Sequence, residues 1–247
     1  MRIAVVADIH GNVRALRAVM DDIKTLAPDT VVNLGDCVSG PLEAAETADV
    51  LISLAWTTIR GNHDRWLLEK TPDTMGRSDA TAFAELKNHH HAWLSTLDDT
   101  ATLENIVLCH GTPGSDTTYL LETVEPSGHV RLATQAEVSR RLGSEDAPLV
   151  LCGHTHVPRI VRLAGGRTVI NPGSVGLQAF SDLEPFNHST ETGAPHARYA
   201  VLERAKAADP WRATFRIVEY DWDGAAKRAT EKGREDWARW LGTGFAG

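Results

Sequence analysis

The strongest constraint in the 247-residue sequence is a repeated punctuation: a short apolar run stops, and a cluster of glycine and polar side chains follows at once. It occurs five times. Ile3 to Ala7 stops at Asp8-Ile9-His10-Gly11-Asn12, and Thr30 to Leu34 stops at Gly35-Asp36. A short third run ends at Gly61-Asn62-His63-Asp64, Asn105 to Cys109 ends at His110-Gly111, and Leu149 to Cys152 ends at Gly153-His154-Thr155-His156. Runs of this length, bounded by turn residues, read as strands. Between the first of them lies a helical pattern, with Val13, Leu16, Val19, Met20, Ile23 and Leu26 on one face and Asn12 placed to cap it. A second helix is expected around Leu42 to Leu54. Strand–helix–strand alternation indicates an α/β fold. Ligands of open α/β sheets bind beyond the carboxyl ends of the strands, so the five clusters are expected to converge on one site.

The middle of the chain predicts one helix over Ala80 to Leu97 and another over Thr134 to Leu142. Arg159 to Leu163 and Arg167 to Ile170 flank Gly165-Gly166, which predicts a hairpin. Residues 177–196, rich in Ser, Thr, Asn, Pro and Gly, predict an irregular loop. Late strands are expected over Tyr199 to Leu202 and Thr214 to Tyr220. A final amphipathic helix is expected over Ala225 to Leu241, packed through Trp237, Trp240 and Leu241, with a homo-oligomer contact as the alternative use of those tryptophans. No linker is long or polar enough to mark a boundary, so residues 1–247 are expected to form one domain.

The residue types at the strand ends point to a metal. Carboxylate and imidazole together suit manganese, iron, zinc or nickel ions. Asp8 and His10 alternate, as do His154 and His156; in an extended segment alternate side chains point the same way, so each pair is expected to grip from one side. Cys37, Cys109 and Cys152 neighbour motif positions and read as small buried hydrophobes. Three adjacent histidines, His89-His90-His91, fan apart on a helix and read as helix surface rather than as a single site. For each cluster alone, the alternative is an ordinary turn at a strand end; five together make that alternative weak.

Composition narrows the partners. A net charge of −8 repels nucleic acid at long range, which ranks a nucleic-acid role low. It leaves anionic small molecules open, because bound cations reverse the local field. No apolar run approaches the roughly 20 residues that span a bilayer, and the N-terminal run is too short for a signal peptide. With three cysteines giving no disulfide pattern, the expected compartment is the cytoplasm.

The ordered set D-x-H-G-N, G-D, G-N-H-D, H-G and G-H-T-H resembles the calcineurin-like metallophosphoesterases, from Asp8 to His156. Asn171-Pro172-Gly173-Ser174 resembles a segment of the small bacterial and archaeal phosphodiesterases in that superfamily. The resemblance implies a four-layer αββα sandwich, with two mixed β-sheets between helices. It also implies two divalent metal ions, manganese foremost, with Asp8, His10 and His156 on one, Asn62, His110 and His154 on the other, and Asp36 bridging. The expected activity is hydrolysis of a small-molecule or nucleotide phosphate ester, foremost a phosphodiester, by a hydroxide held between the metals. His63 is expected to act as general acid, with Asp64 orienting its ring, and Asn12 is expected to contact a phosphate oxygen when it is not simply a helix cap. A protein phosphatase or a diadenosine polyphosphate hydrolase stays open as the alternative, because many small phosphodiesterases carry cysteine where this chain has His63. A non-catalytic scaffold of the same fold ranks lowest, since all the ligand positions are intact.

Overall fold

A computed structural model describes residues 1–207 and 209–247. In chain order the elements are β1 (Arg2–Val6), α1 (Val13–Leu26), β2 (Thr30–Asn33), α2 (Ala44–Leu54), β3 (Thr57–Thr58), α3 (Asn62–Glu69), α4 (Arg77–Glu85), α5 (Asn88–Leu94), β4 (Thr100–Leu103) and β5 (Ile106–Cys109). Then follow β6 (Glu122–Val124), β7 (Val130–Leu132), α6 (Gln135–Leu142), β8 (Leu149–Leu151), β9 (Arg159–Arg162), β10 (Thr168–Asn171), β11 (Ala179–Asp182), β12 (His188–Glu191), β13 (Ala197–Glu203), β14 (Arg212–Val218), α7 (Trp222–Glu231) and α8 (Glu235–Thr243).

Two five-stranded mixed sheets organise the molecule, in the orders β14-β13-β1-β2-β3 and β4-β5-β8-β10-β9. β1, β2 and β3 run parallel, as do β5, β8 and β10, while the flanking strands run antiparallel. The layering follows from side-chain alternation along the strands. Ile3 and Val5 of β1 meet Ile106 and Leu108 of β5 and Leu149 and Leu151 of β8 in a core between the sheets. The opposite faces carry Ala4 and Val6, which pack on Leu16, Val19 and Ile23 of α1. Val107, Cys109 and Val150 pack on Val138 and Leu142 of α6. The result is a four-layer αββα arrangement with two mixed sheets between helices, in agreement with the expected architecture.

Several local expectations are corrected. The segment read as one helix over 80–97 is two, because Leu86 (ψ 144°) and Lys87 (ψ 167°) are extended. His90 is the cause: its Nδ1 accepts the Lys87 N–H at 3.0 Å and starts a new helix there. The C-terminal helix also divides, at Gly233, whose left-handed φ of +70° ends α7. Residues 177–196 are no irregular loop: β11 and β12 form a hairpin in which Ala179 pairs with Glu191 and Asp182 with His188. Among the described residues, no helix is long and apolar enough to cross a membrane.

Candidate metal centre

The five strand-end clusters do converge, but not by strand alternation. β1 stops at Val6, and Asp8 and His10 adopt left-handed φ values of +54° and +51°. Asp36 (+53°), His154 (+70°) and His156 (+60°) do the same. The expectation that each alternating pair projects from an extended segment is therefore corrected: sharp left-handed kinks aim these side chains inward. Non-glycine residues adopt this region at a cost of about 1–3 kcal/mol each when it is sparsely populated, and such strain collects at functional sites. The remaining non-glycine cases, Ala27, Ala55 and Glu104, sit at helix ends or a turn away from the site.

Ligating atoms gather in two trios, buried Asp8 with His10 and His156, and buried Asp36 and His110 with half-buried His154; within each trio they lie within 4.8 Å of one another. Three imidazoles are anchored through Nδ1 to backbone carbonyls: His10 to Ser39 at 2.9 Å, His110 to Leu34 at 2.8 Å and His156 to Leu177 at 2.7 Å. That anchoring holds a proton on Nδ1 and turns Nε2 inward, as in histidine metal ligands. The Nε2 atoms of His10 and His156 face each other at 3.1 Å. Asp36 joins the two trios, its Oδ2 at 3.2 Å from His110 Nε2 in its own trio and 3.8 Å from His10 Nε2 in the other. Asn62 Oδ1 and His110 Nε2 are buried and make no hydrogen bond among the described residues. Buried polar atoms without partners are costly. A divalent cation would satisfy both, and the oxygen and nitrogen donor set fits one.

The electrostatics agree with that fit. Burial lowers His10 to about 4 and His154 to about 3, and it also holds His156 well below the usual range. These rings are neutral near pH 7, the form that binds metal. Burial raises Asp8 to about 8. Asp36 is also raised by burial, but the charges of His110 and His63 outweigh this and hold it well below its usual value. Burial opposes charge on His110, yet Asp36 lifts it to about 10. Protons thus offset the buried carboxylates, and a bound cation would displace them.

His63 lies beside this cluster with 27% of its side chain exposed. Its Nδ1 is 2.7 Å from Asp79 Oδ1, and that same oxygen accepts the Ser39 hydroxyl at 2.6 Å. Burial would lower the His63 pKa, but Asp79 and Asp36 raise it to about 9. The expectation that Asp64 orients His63 is corrected: Asp79 does so. Asp64 is fully buried and accepts the backbone N–H groups of Cys37 (2.9 Å) and Gly61 (3.1 Å), which caps α3 and ties the Asp36 and Asn62 loops together. No spacing rule links Asp79 to His63, since it comes from the first turn of α4. Asn12 is corrected in its phosphate role as well. It is fully buried; Oδ1 caps α1 at the Ala15 N–H, and Nδ2 donates to Gly176 O and the Tyr220 hydroxyl.

Asn171 and Ser174 brace the site. Asn171 Nδ2 donates to Gly153 O at 2.7 Å, and the Ser174 hydroxyl donates to Asp8 O at 2.7 Å. His89 and His90 share Asp49 Oδ1 through Nε2 at 3.0 and 2.9 Å. Because His90 Nδ1 accepts a backbone N–H, its Nε2 carries the ring proton, which argues against a metal there.

Above the two trios opens a cleft of about 730 Å³. His10, Asp36, Asn62, His63, His154 and His156 form its floor. Its walls come from β6, the β11–β12 hairpin, α3 and α8.

Comparison with known proteins agrees with this geometry. The family model described as the calcineurin-like phosphoesterase superfamily domain matches residues 1–190. A relative is the uncharacterized protein MJ0912 of Methanocaldococcus jannaschii, 25% identical over 197 residues, covering 70% of this chain and 76% of that protein. Among solved structures, a metallophosphoesterase from Sphaerobacter thermophilus superposes with a TM-score of 0.76 at 25% identity, covering 99% of both chains. The hypothetical protein PH1004 from Pyrococcus horikoshii OT3 gives the same TM-score of 0.76 at 18% identity, covering 100% of this chain and 99% of its own, a likeness of fold alone.

Proposed function

Because the chain belongs to the calcineurin-like phosphoesterase superfamily, we propose that it is a metal-dependent hydrolase of phosphodiesters, acting on a small-molecule or nucleotide ester through a dinuclear centre. The donor arrangement carries this reading: the Asp8, His10, His156 trio adjoins the Asp36, His110, His154 trio through Asp36, and the buried Asn62 Oδ1 makes no hydrogen bond among the described residues. Asp8, His10 and His156 would hold one ion, Asn62, His110 and His154 the other, and Asp36 both. Manganese is the first choice for such donors. When bound, such a pair of ions polarises the phosphoryl group and acidifies water.

The chain's own contribution to the reaction centres on His63. With Nδ1 committed to Asp79, its Nε2 is the nitrogen free to meet a substrate in the cleft. Asp79 favours the protonated ring. His63 then hands its Nε2 proton to the departing ester oxygen, which leaves as an alcohol. Asp79 and Ser39 fix the ring, and Trp66 packs edge-on against it at a centroid distance of 4.8 Å. Asp64 fixes the two loops that present Asp36 and Asn62.

The test is hydrolysis of bis(p-nitrophenyl) phosphate against p-nitrophenyl phosphate in Mn²⁺, with Asp36→Asn as control. The reading predicts faster diester than monoester turnover, lost in the control. Diester turnover that survives Asp36→Asn would refute the metal chemistry, and monoester preference would move the assignment to a phosphatase.

A further inference from the structure

The family match ends at residue 190, yet the cleft does not end with it: Arg234, Trp237 and Trp240 from the C-terminal segment line the same space as the metal-facing residues. We propose that α8 and β11 form a slot for a flat aromatic or heteroaromatic group esterified to the phosphate, so that the C-terminal segment sets the specificity of the site. This rests on the phosphoesterase reading and adds the substrate class to it.

Position is the first argument. The Phe180 ring centroid is 4.6 Å from that of His156, and the Trp237 centroid is 5.9 Å from that of His10. The apolar wall therefore stands against the trio of Asp8, His10 and His156. On the other side, next to His154, the wall is polar: Tyr119 lies 4.9 Å from His154, with Thr117 and Thr118 beside it. The organic part of an ester held between the trios thus has an apolar side to turn to there, apart from Trp66 beside His63.

Chemistry is the second argument. Leu177, Trp237 and Trp240 belong to a hydrophobic cluster that Phe180 packs against, and all four line the cleft, so one face of a core opens onto the site. A heteroaromatic ring laid against this wall would cover apolar surface.

Charge supplies the third argument, because it disfavours the alternative of a longer polyphosphate. The two arginines lining the cleft are already engaged. Arg234 makes a paired contact with Asp236 and donates to Ser78, while Arg141 donates to Leu120 O, Glu122 O and the Thr123 hydroxyl. Glu122, Asp182 and Glu184 line the walls as well. Glu122 is paired with Arg159, so a second phosphate would face Asp182 and Glu184, and would reach Arg141 or Arg234 only by displacing the hydrogen bonds they already make. Space is ample for the organic group, since about 730 Å³ falls in the range of pockets that hold drug-sized ligands, roughly 300–1,000 Å³.

Calorimetric titration of the Mn²⁺-loaded protein with phenylphosphonate and with methylphosphonate tests the slot without turnover. The slot predicts about tenfold or greater preference for the phenyl compound. In Trp240→Leu and in Phe180→Ala, whose side chain is only half-buried and whose loss is easier to fold around, the affinity ratio falls towards one. Equal affinities in the unaltered protein, or a ratio preserved in both variants, overturns the slot. Hydrolysis of bis(p-nitrophenyl) phosphate without aromatic preference removes the slot alone; absence of both hydrolysis and phosphonate binding removes the phosphoesterase reading with it.

Discussion

At the scale of single residues, the site is a set of side chains forced into place. Asp8, His10, Asp36, His154 and His156 all hold left-handed φ, and the buried carboxylates of Asp8 and Asp36 carry a solvation cost that protons or a cation offset alongside their backbone N–H bonds. The His63–Asp79 contact gives the sharpest residue-level prediction. His63→Ala should lower kcat about 10²–10⁴-fold on esters with alkyl leaving groups, with a much smaller loss on p-nitrophenyl esters, whose leaving group needs no proton. Asp79→Asn should show the same leaving-group bias at smaller amplitude, with metal content unchanged. Equal losses across leaving groups would remove the acid role. The candidate metal ligands were legible in the sequence because few residue types bind cations and they fall in ordered clusters. Asp79 was not, since nothing local marks a carboxylate that reaches a histidine 16 positions away. Asn12 was ambiguous because the same side chain serves a cap or a ligand, and only its burial decides.

At the scale of elements, strand tips present the ligands and loop contacts hold the tips in register. The Gly35-Asp36 and Gly61-Asn62 turns touch so closely that a Cβ on Gly61 would lie 2.2 Å from Asp36 Oδ1 and 2.5 Å from its backbone nitrogen. Gly61→Ala must therefore push the turns apart. A displacement near 1 Å costs about 10² in rate, so the variant should retain its far-ultraviolet circular dichroism and lose about a hundredfold in diester turnover; full activity would contradict the packing. A second element contact lies far from the site. Asp22 of α1 accepts the Tyr199 hydroxyl of β13 at 2.5 Å and two donors of Arg216 on β14. The Arg216 hydrogen bond holds the Asp22 pKa below its usual value, against the opposing effect of burial. A carboxylate with a depressed folded pKa stabilises the fold above its unfolded pKa of 3.8, and that stabilisation is lost as pH falls through the folded value. Asp22→Asn should cost about 1.5–3 kcal/mol near pH 7, and urea unfolding should show the difference shrinking as pH falls below about 4. A pH-independent difference would contradict the linkage. The strands that precede the polar clusters and the first helix could be read from periodicity. Helix breaks could not where a side chain made them, as His90 does at Lys87. The β11–β12 hairpin was hidden because its arms are only four residues each and polar outward.

At the scale of the whole molecule, two sheets share one core and bring the ends of their strands to a common edge, while helices cover the outer faces. Candidate ligands that follow β1, β2 and β3 of the first sheet meet candidate ligands that follow β5 and β8 of the second. Neither sheet alone carries a complete set, so the centre depends on the sandwich being closed. Metal stoichiometry measured by elemental analysis, on protein loaded with Mn²⁺ and freed of excess ion, tests this account most directly. It predicts two ions per chain, one in His156→Ala and one in His154→Ala, each variant losing the ion of its own trio, and fewer than two in Asp36→Asn. A single ion in the unaltered protein, or two retained in Asp36→Asn, would contradict the dinuclear centre.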